Sequence, residues 1–87
     1  MAVVVGRRVT VGTSPTLVAA ADTQALVKNH AGSATVDLGG SGVTAGAGFA
    51  LDAGDSVWLD PVPLGGALYG VVASGTVVVS VLTVEAA

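Results

Sequence analysis

Glycine and proline punctuate this chain at short intervals, and β-branched residues, mainly valine, fill the gaps between them. Among 87 residues there are 13 glycines and 3 prolines. Short valine-rich runs bounded by turn-forming residues are typical of antiparallel sandwiches and small barrels. The spacing therefore predicts an all-β chain, a compact antiparallel β-sandwich or small jelly-roll-like barrel of about 7–8 short strands.

Eight strands are predicted from the valine-rich runs, with turns between them. They cover residues 3–11, 16–20, 24–30, 34–38, 49–51, 56–59, 68–73 and 76–84. Ser74-Gly75 is the clearest hairpin signal, because glycine accepts the positive φ that a two-residue turn requires. Pro61 and Pro63 end the sixth strand, since proline cannot donate a ladder hydrogen bond.

Residues 14–30 also fit a helix, and this alternative competes with two of the predicted strands. Ser14 would be its N-cap and Pro15 its first residue. Lys28 and His30 would lie in the last turn, where the helix dipole favours cations. Alanine and polar residues interrupt the apolar face of this helix at its centre. We therefore favour two strands here.

The chain is long enough for a single domain, predicted to cover residues 7–87. Two interpretations stay open for residues 1–6, an N-terminal arm and, favoured over it, an ordinary first strand of the same sheet. Val3, Val4 and Val5 are strand-forming, and Gly6 is a candidate hinge. An exposed apolar strand at a terminus pairs readily with a neighbouring subunit.

Charged residues are scarce and the net charge is acidic. They make up 10% of the chain, against about 25% in an ordinary soluble domain. A net charge of −3 with three basic residues argues against nucleic-acid binding. No apolar run approaches the ~18 residues of a membrane helix. No signal peptide is expected either, because Arg7 and Arg8 follow the short apolar run of residues 2–5 instead of preceding a long apolar segment. We expect part of this surface to be covered by partner subunits.

The last predicted strand is apolar on both faces. Val77, Val79 and Val81 share one face, and Val78, Leu82 and Val84 share the other. A strand that is apolar on both faces needs other protein groups packed against each face. This predicts packing against another subunit, with a central place in a closed small barrel as the alternative.

Two further features complete the predicted contact surface. Trp58 lies opposite Val57 and Leu59, so it is either an interface anchor or a core residue. Arg7 and Arg8 would face opposite sides of a strand, where they are either anchors for an acidic partner or solvated charges. The candidate interface residues are Val3, Val4, Val5, Arg7, Arg8, Trp58, Val77, Val79 and Val81.

No catalytic, cofactor or metal constellation is found, and the chain is not predicted to be an enzyme. His30 is the only imidazole, too few for a histidine zinc site, and cysteine is absent. Asp52 and Asp55 lack the alternating pattern of a calcium loop and are predicted to stabilise a turn. The glycine-rich stretch 39–48 departs from the dinucleotide-binding fingerprint in spacing and is predicted to be a surface loop.

Several runs together resemble small β-sandwich virion proteins of tailed bacteriophages. These runs are VTVGT (9–13), LVAA (17–20), LVKN (26–29), ATVDLGGSGVT (34–44), GFAL (48–51), AGD (53–55), ALYGV (67–71) and ASGT (73–76). The similarity lies in the pattern of strands and turns and covers nearly the whole chain. Asp37 departs from it, standing where a tyrosine or a neutral residue is expected.

The resemblance implies a virion structural protein, in particular a capsid decoration (cement) protein. Such a protein would bind the outer capsid face as a small oligomer, with a trimer favoured, and would stabilise the head. Its partners would be the major capsid protein and other copies of itself, with no cofactor, nucleic acid or membrane. It would reside on the virion surface, and in the host cytoplasm during assembly. The alternative is a tail or fibre module that binds a host-surface receptor or glycan.

Overall fold

The computed structural model describes residues 2–20, 23–30, 32–59 and 66–86, without the side chains of residues 2, 85 and 86. Its strands are β1 (Ala2–Val11), β2 (Thr16–Ala19), β3 (Gln24–Asn29), β4 (Val36–Gly39), β5 (Phe49–Leu51), β6 (Ser56–Leu59), β7 (Leu68–Val71) and β8 (Val77–Ala86). Each begins and ends within about three residues of its predicted position. The predicted all-β fold is confirmed.

The strands form two four-stranded antiparallel sheets. Sheet A has the order β1-β8-β3-β6, and sheet B has the order β2-β7-β4-β5. The first half of the chain pairs with the second half in reverse, β1 with β8, β2 with β7, β3 with β6 and β4 with β5. Two further pairings, β3 with β8 and β4 with β7, complete the sheets. This is the strand order of a jelly roll.

The core lies between the two sheets and consists mostly of valine. Alternation sends every second side chain of a strand to the core, and the buried residues follow that period. Sheet A contributes Val11, Ala25, Val27, Val77, Val79 and Val81, and sheet B contributes Val18, Ala19, Val36, Leu38, Leu51 and Leu68. Val72, just after β7, is also buried there.

The structure corrects the predictions for the last strand. Val77, Val79 and Val81 are buried against sheet B, so they belong to the core and do not form an exposed interface. The opposite face of β8 is the exposed one, with Val78 and Leu82 accessible. The two-sided apolar pattern was correctly recognised, but the wrong side was assigned to the surface. A period of two gives two faces without saying which is inward.

Residues 16–19 and 24–29 are the strands β2 and β3, so the favoured prediction of two strands is confirmed and the alternative helix over 14–30 does not form. The hairpin prediction at Ser74-Gly75 is wrong. Gly75 adopts φ 67° as the turn prediction requires, but the strands it joins belong to different sheets. The Ser74-Gly75 turn is therefore a connection between sheets and not a hairpin. Among the described strands, β4 and β5 are the sequence neighbours that pair.

The N-terminal segment is part of the first strand. Residues 2–6 belong to β1 and pair with β8 in unbroken register, from Ala2 opposite Ala86 to Gly6 opposite Leu82. In this chain they therefore follow the favoured interpretation, an ordinary first strand. Since β1 lies at the edge of sheet A, its far side is still a strand edge.

Candidate functional site

An apolar row crosses the outer face of sheet A, the face that points away from the core. Gly6 on β1 pairs with Leu82 on β8, Leu82 pairs with Leu26 on β3, and Leu26 pairs with Trp58 on β6. Leu82 is 41% exposed and Trp58 is 48% exposed, while Leu26 is half-buried. Cross-strand register thus brings side chains that are far apart in sequence into one continuous stripe, here named the apolar row.

A row of polar and basic residues runs beside the apolar row, two residues further along each strand. Arg8 pairs with Ser80, Ser80 with Lys28, and Lys28 with Ser56. Arg8 and Lys28 are exposed, and with strands about 4.8 Å apart their backbones lie about 10 Å from each other. The His30 Nε2 atom lies 2.8 Å from the Ser80 hydroxyl oxygen. We name this set the basic row.

The charge of this face is opposite to that of the chain. The net charge of the whole sequence is −3, yet the described side chains on the outer face of sheet A include Arg8 and Lys28 and no carboxylate. The face is therefore locally positive on an acidic protein. Opposite local charge favours association with a negatively charged surface.

A shallow groove of about 430 Å³ separates the two rows. Its walls include Gly6, Arg8, Leu26, Lys28, Ser80 and Leu82. The depression lies where Gly6 contributes no side chain to the apolar row. The groove thus combines apolar lining residues with the basic residues Arg8 and Lys28 and the Ser80 hydroxyl, and Arg7 also borders it.

The outer face of sheet B is partly covered by the chain itself. The glycine-rich loop folds back on β4, where the Gly46 N–H donates a 2.7 Å hydrogen bond to the Asp37 carboxylate. Asp37 is buried as a result, although it points away from the core. A side chain at Gly48 would come within 2.7 Å of the Leu38 carbonyl oxygen, so the loop lies close against the strand. The loop lies at the surface, as predicted, and it packs against strand β4.

The structure separates the predicted interface residues into three groups. Trp58 lies on the outer face, as the interface alternative requires, and Arg8 lies there with it. Arg7 points to the other side of β1, where it donates a 3.5 Å hydrogen bond to the Thr83 hydroxyl. Val3 and Val4 are exposed on opposite sides of β1, with Val4 at 64%, and Val5 is half-buried.

The other candidate polar residues have structural partners. Asp52 and Asp55 enclose a turn in which the Asp55 N–H donates to the Asp52 carbonyl at 3.0 Å, as predicted. Asp52 also accepts a 2.8 Å hydrogen bond from Thr35. Among the described residues, no three potential metal ligands lie together. Pro61 and Pro63, which are predicted to end the sixth strand, lie outside the described residues.

Sequence reasoning missed most of the groove. Leu26, Lys28 and Ser80 were not singled out, because each is an ordinary residue within its own strand. Leu82 was placed on the second face of β8, and that alternation was the available signal. Their common location depends on the order β1-β8-β3-β6, which no local pattern contains.

A second cavity of about 430 Å³ opens at the side of the sandwich near β5 and β6. Phe49, Leu38, Val57, Leu59 and Leu68 line it, together with glycine and alanine. None of these side chains can ionise or donate a hydrogen bond. The cavity offers apolar contact only.

The chain matches no protein-family model, no curated protein and no solved structure. In the described part of the chain, no helix has the length and apolar character needed to cross a membrane.

Proposed function

We propose that this protein is a structural protein of a bacteriophage virion, a capsid decoration protein that binds the outer capsid face and stabilises the head. The observation that carries the proposal is the exposed apolar row beside the basic row on the outer face of sheet A. Apolar and aromatic side chains in register, with cations at the rim, are typical of protein-binding surfaces. The fold occurs among viral capsid proteins and also lectins, so it supports the proposal without deciding it.

The mechanism would be the burial of the apolar row against capsid subunits. Each copy contributes its contact area at about 25 cal/mol per Å² before the costs of association are subtracted. Repeated over many copies that each bridge adjacent subunits, this contact raises the free energy needed to separate them. Packaged DNA then has to overcome a larger cohesive energy to burst the head.

Trp58 is the expected anchor of this contact. Its side chain is large and half-exposed and lies at the β6 end of the apolar row, and aromatic anchors dominate many interfaces. Replacing Trp58 by Ala is expected to weaken binding to purified capsids about tenfold or more, the effect of losing at least 1.4 kcal/mol.

Phe49→Ala provides the matched control. Phe49 is 62% exposed on β5 of sheet B, away from the outer face of sheet A. Co-sedimentation of each variant with capsids that lack the protein measures the affinity, and thermal melts verify that both variants are folded. Equal loss of binding for Trp58→Ala and Phe49→Ala would contradict the assignment of this face.

Particle imaging tests the location. Hundreds of copies on the head, with capsids that burst more readily in their absence, are the expected result. A few copies at the tail would instead support the alternative, a tail or fibre module that binds a host receptor or glycan.

A further inference from the structure

Gly6 lies in the interior of an edge strand where this chain alone gives no reason for a glycine. Glycine weakens a strand interior, because it loses more backbone entropy on folding and offers no side chain to pack. The glycines of positive φ lie in turns and loops, and Gly6 is not one of them. A Cβ atom at Gly6 would approach nothing closer than Leu82 Cδ1 at 3.9 Å, an ordinary contact.

Neither backbone conformation nor packing therefore requires glycine at this position. A glycine of this kind often marks a place where a ligand or another backbone approaches closely. At Gly6 the space that a side chain would occupy is the groove between the apolar row and the basic row.

The edge of β1 is the second observation. β1 is ten residues long, and among the described strands only β8 pairs with it. In an antiparallel ladder half of the backbone N–H and C=O groups point away from the existing partner. An extended segment can pair with these groups, and pockets for its alternate side chains then provide specificity.

We propose that an extended acidic segment of a partner protein adds to the edge of β1 and places a carboxylate over Gly6, beside Arg8. The proposal deepens the proposed function and rests on it only for the identity of the partner, the capsid protein. Successive residues of the added strand point to opposite faces, so the carboxylate lies on the outer face with the groove and its immediate apolar neighbours lie on the other face. An acidic partner is favoured because the described side chains of this face include cations and no carboxylate that would neutralise them.

Two other occupants fit less well. Among the acidic residues whose side chains the structure describes, none offers a second copy an accessible acidic strand, because Asp37 is buried and Asp52 and Asp55 lie in a turn. Nucleic acid would meet only Arg8 and Lys28 on this face, and phosphate backbones are held by larger sets of cations. Both occupants are therefore outcomes of the test.

The probe is a capped nine-residue peptide in which valine and glutamate alternate. A peptide with lysine in place of glutamate is its matched control, and binding is followed by amide chemical shifts of the full-length protein. We expect saturable shifts at Gly6, Arg8 and Ser80 with the glutamate peptide and none with the lysine peptide. Equal shifts with both peptides, or shifts confined to other strands, would overturn the proposal.

Gly6→Val separates binding from folding. Valine fills the groove but suits a strand better than glycine, so the melting temperature is expected to stay equal or rise. Affinity for the glutamate peptide is expected to fall about tenfold or more. Thr10→Val is the matched control, since it adds apolar surface on the same face of β1 outside the groove, and it is expected to bind as the unmodified protein does.

Charge variants provide a second measurement. Arg8→Ser is expected to weaken peptide binding about two- to fivefold, the effect of one exposed ion pair. Lys28→Ser is the matched control, since Lys28 lies on β3, two strands from β1, and it is expected to leave the affinity unchanged. Unchanged affinity in Arg8→Ser would contradict the proposed position of the carboxylate. Shifts at Gly6 that appear with protein concentration alone, or with a twelve-nucleotide DNA strand, would also overturn it.

These results are independent of capsid binding. If the glutamate peptide binds at Gly6 while capsids are not bound, the proposed function fails and the edge site stands. Suppose instead that capsids are bound through Trp58, but Gly6→Val changes neither the affinity for the glutamate peptide nor the affinity for capsids. The edge site then fails and the proposed function stands.

Discussion

Asn29 is a fully buried polar residue that connects the two sheets. It ends β3 in sheet A, and its side-chain amide donates to the carbonyl oxygens of Ala34 at 2.8 Å and Leu51 at 2.9 Å. Its backbone N–H and C=O bond to Asp55 and Gly54, each at 2.9 Å. One residue thereby joins β3, β5 and the turn that leads into β6. Buried backbone carbonyls need such donors.

Replacing Asn29 by Ala is expected to lower the free energy of unfolding by about 2–4 kcal/mol, because the buried Leu51 carbonyl and the partly buried Ala34 carbonyl lose their donor. Urea denaturation measures the change. The neighbouring exposed residue provides the control, since Lys28→Ala is expected to alter stability by less than about 0.5 kcal/mol. A loss below 1 kcal/mol for Asn29→Ala would mean that water replaces the amide without cost.

At the scale of elements, the loop between β4 and β5 is held on the sheet by a charge-assisted hydrogen bond. The carboxylate of Asp37, a residue of β4, accepts from the N–H of Gly46, which lies in the loop that joins β4 to its sequence neighbour and sheet partner β5. Val43 lies against Gly39 and Gly48, where a Cβ atom would come within 3.0 Å and 2.7 Å of its side chain. The loop therefore depends on small residues beneath it.

Asp37→Ala is expected to release the loop from β4, because the Gly46 N–H loses its buried acceptor at a cost of about 1.5–3 kcal/mol. Hydrogen exchange at Gly46 should become about tenfold faster or more, while amides of β1 and β8 in the other sheet change only with global stability. Unchanged protection at Gly46 in the variant would show that packing of Val43 alone holds the loop.

The whole molecule is organised by pairing between distant parts of the chain. Ala2 lies opposite Ala86, and β2 pairs with β7. The short β4–β5 pair is the described contact between consecutive strands in one sheet. Most of the sheet therefore forms only after long loops close, which costs entropy before contacts compensate for it.

We expect slow folding for a chain of this size, with a relaxation time between about a millisecond and a second. Stopped-flow far-ultraviolet circular dichroism after dilution from urea measures it. Asn29→Ala should accelerate unfolding, because the sheets it joins come together late. Folding in microseconds would contradict a mechanism limited by distant strand pairing.

The positions of the strands followed from the sequence alone. Alternating β-branched residues and turn-forming glycines act over a few residues, so the limits of β5 and β6 were predicted without error. Alternation also placed Trp58 on the face opposite Val57 and Leu59, and the structure decided that the face of Trp58 is the outward one.

The choice of which strands pair, and which face of β8 is buried, came only from the tertiary structure. Val77, Val79 and Val81 are as apolar as the face that carries Val78 and Leu82, so local pattern could not rank them. Packing against sheet B decides between them. The groove beside Gly6 exists for the same reason: Arg8, Ser80 and Lys28 meet there because distant strands lie side by side.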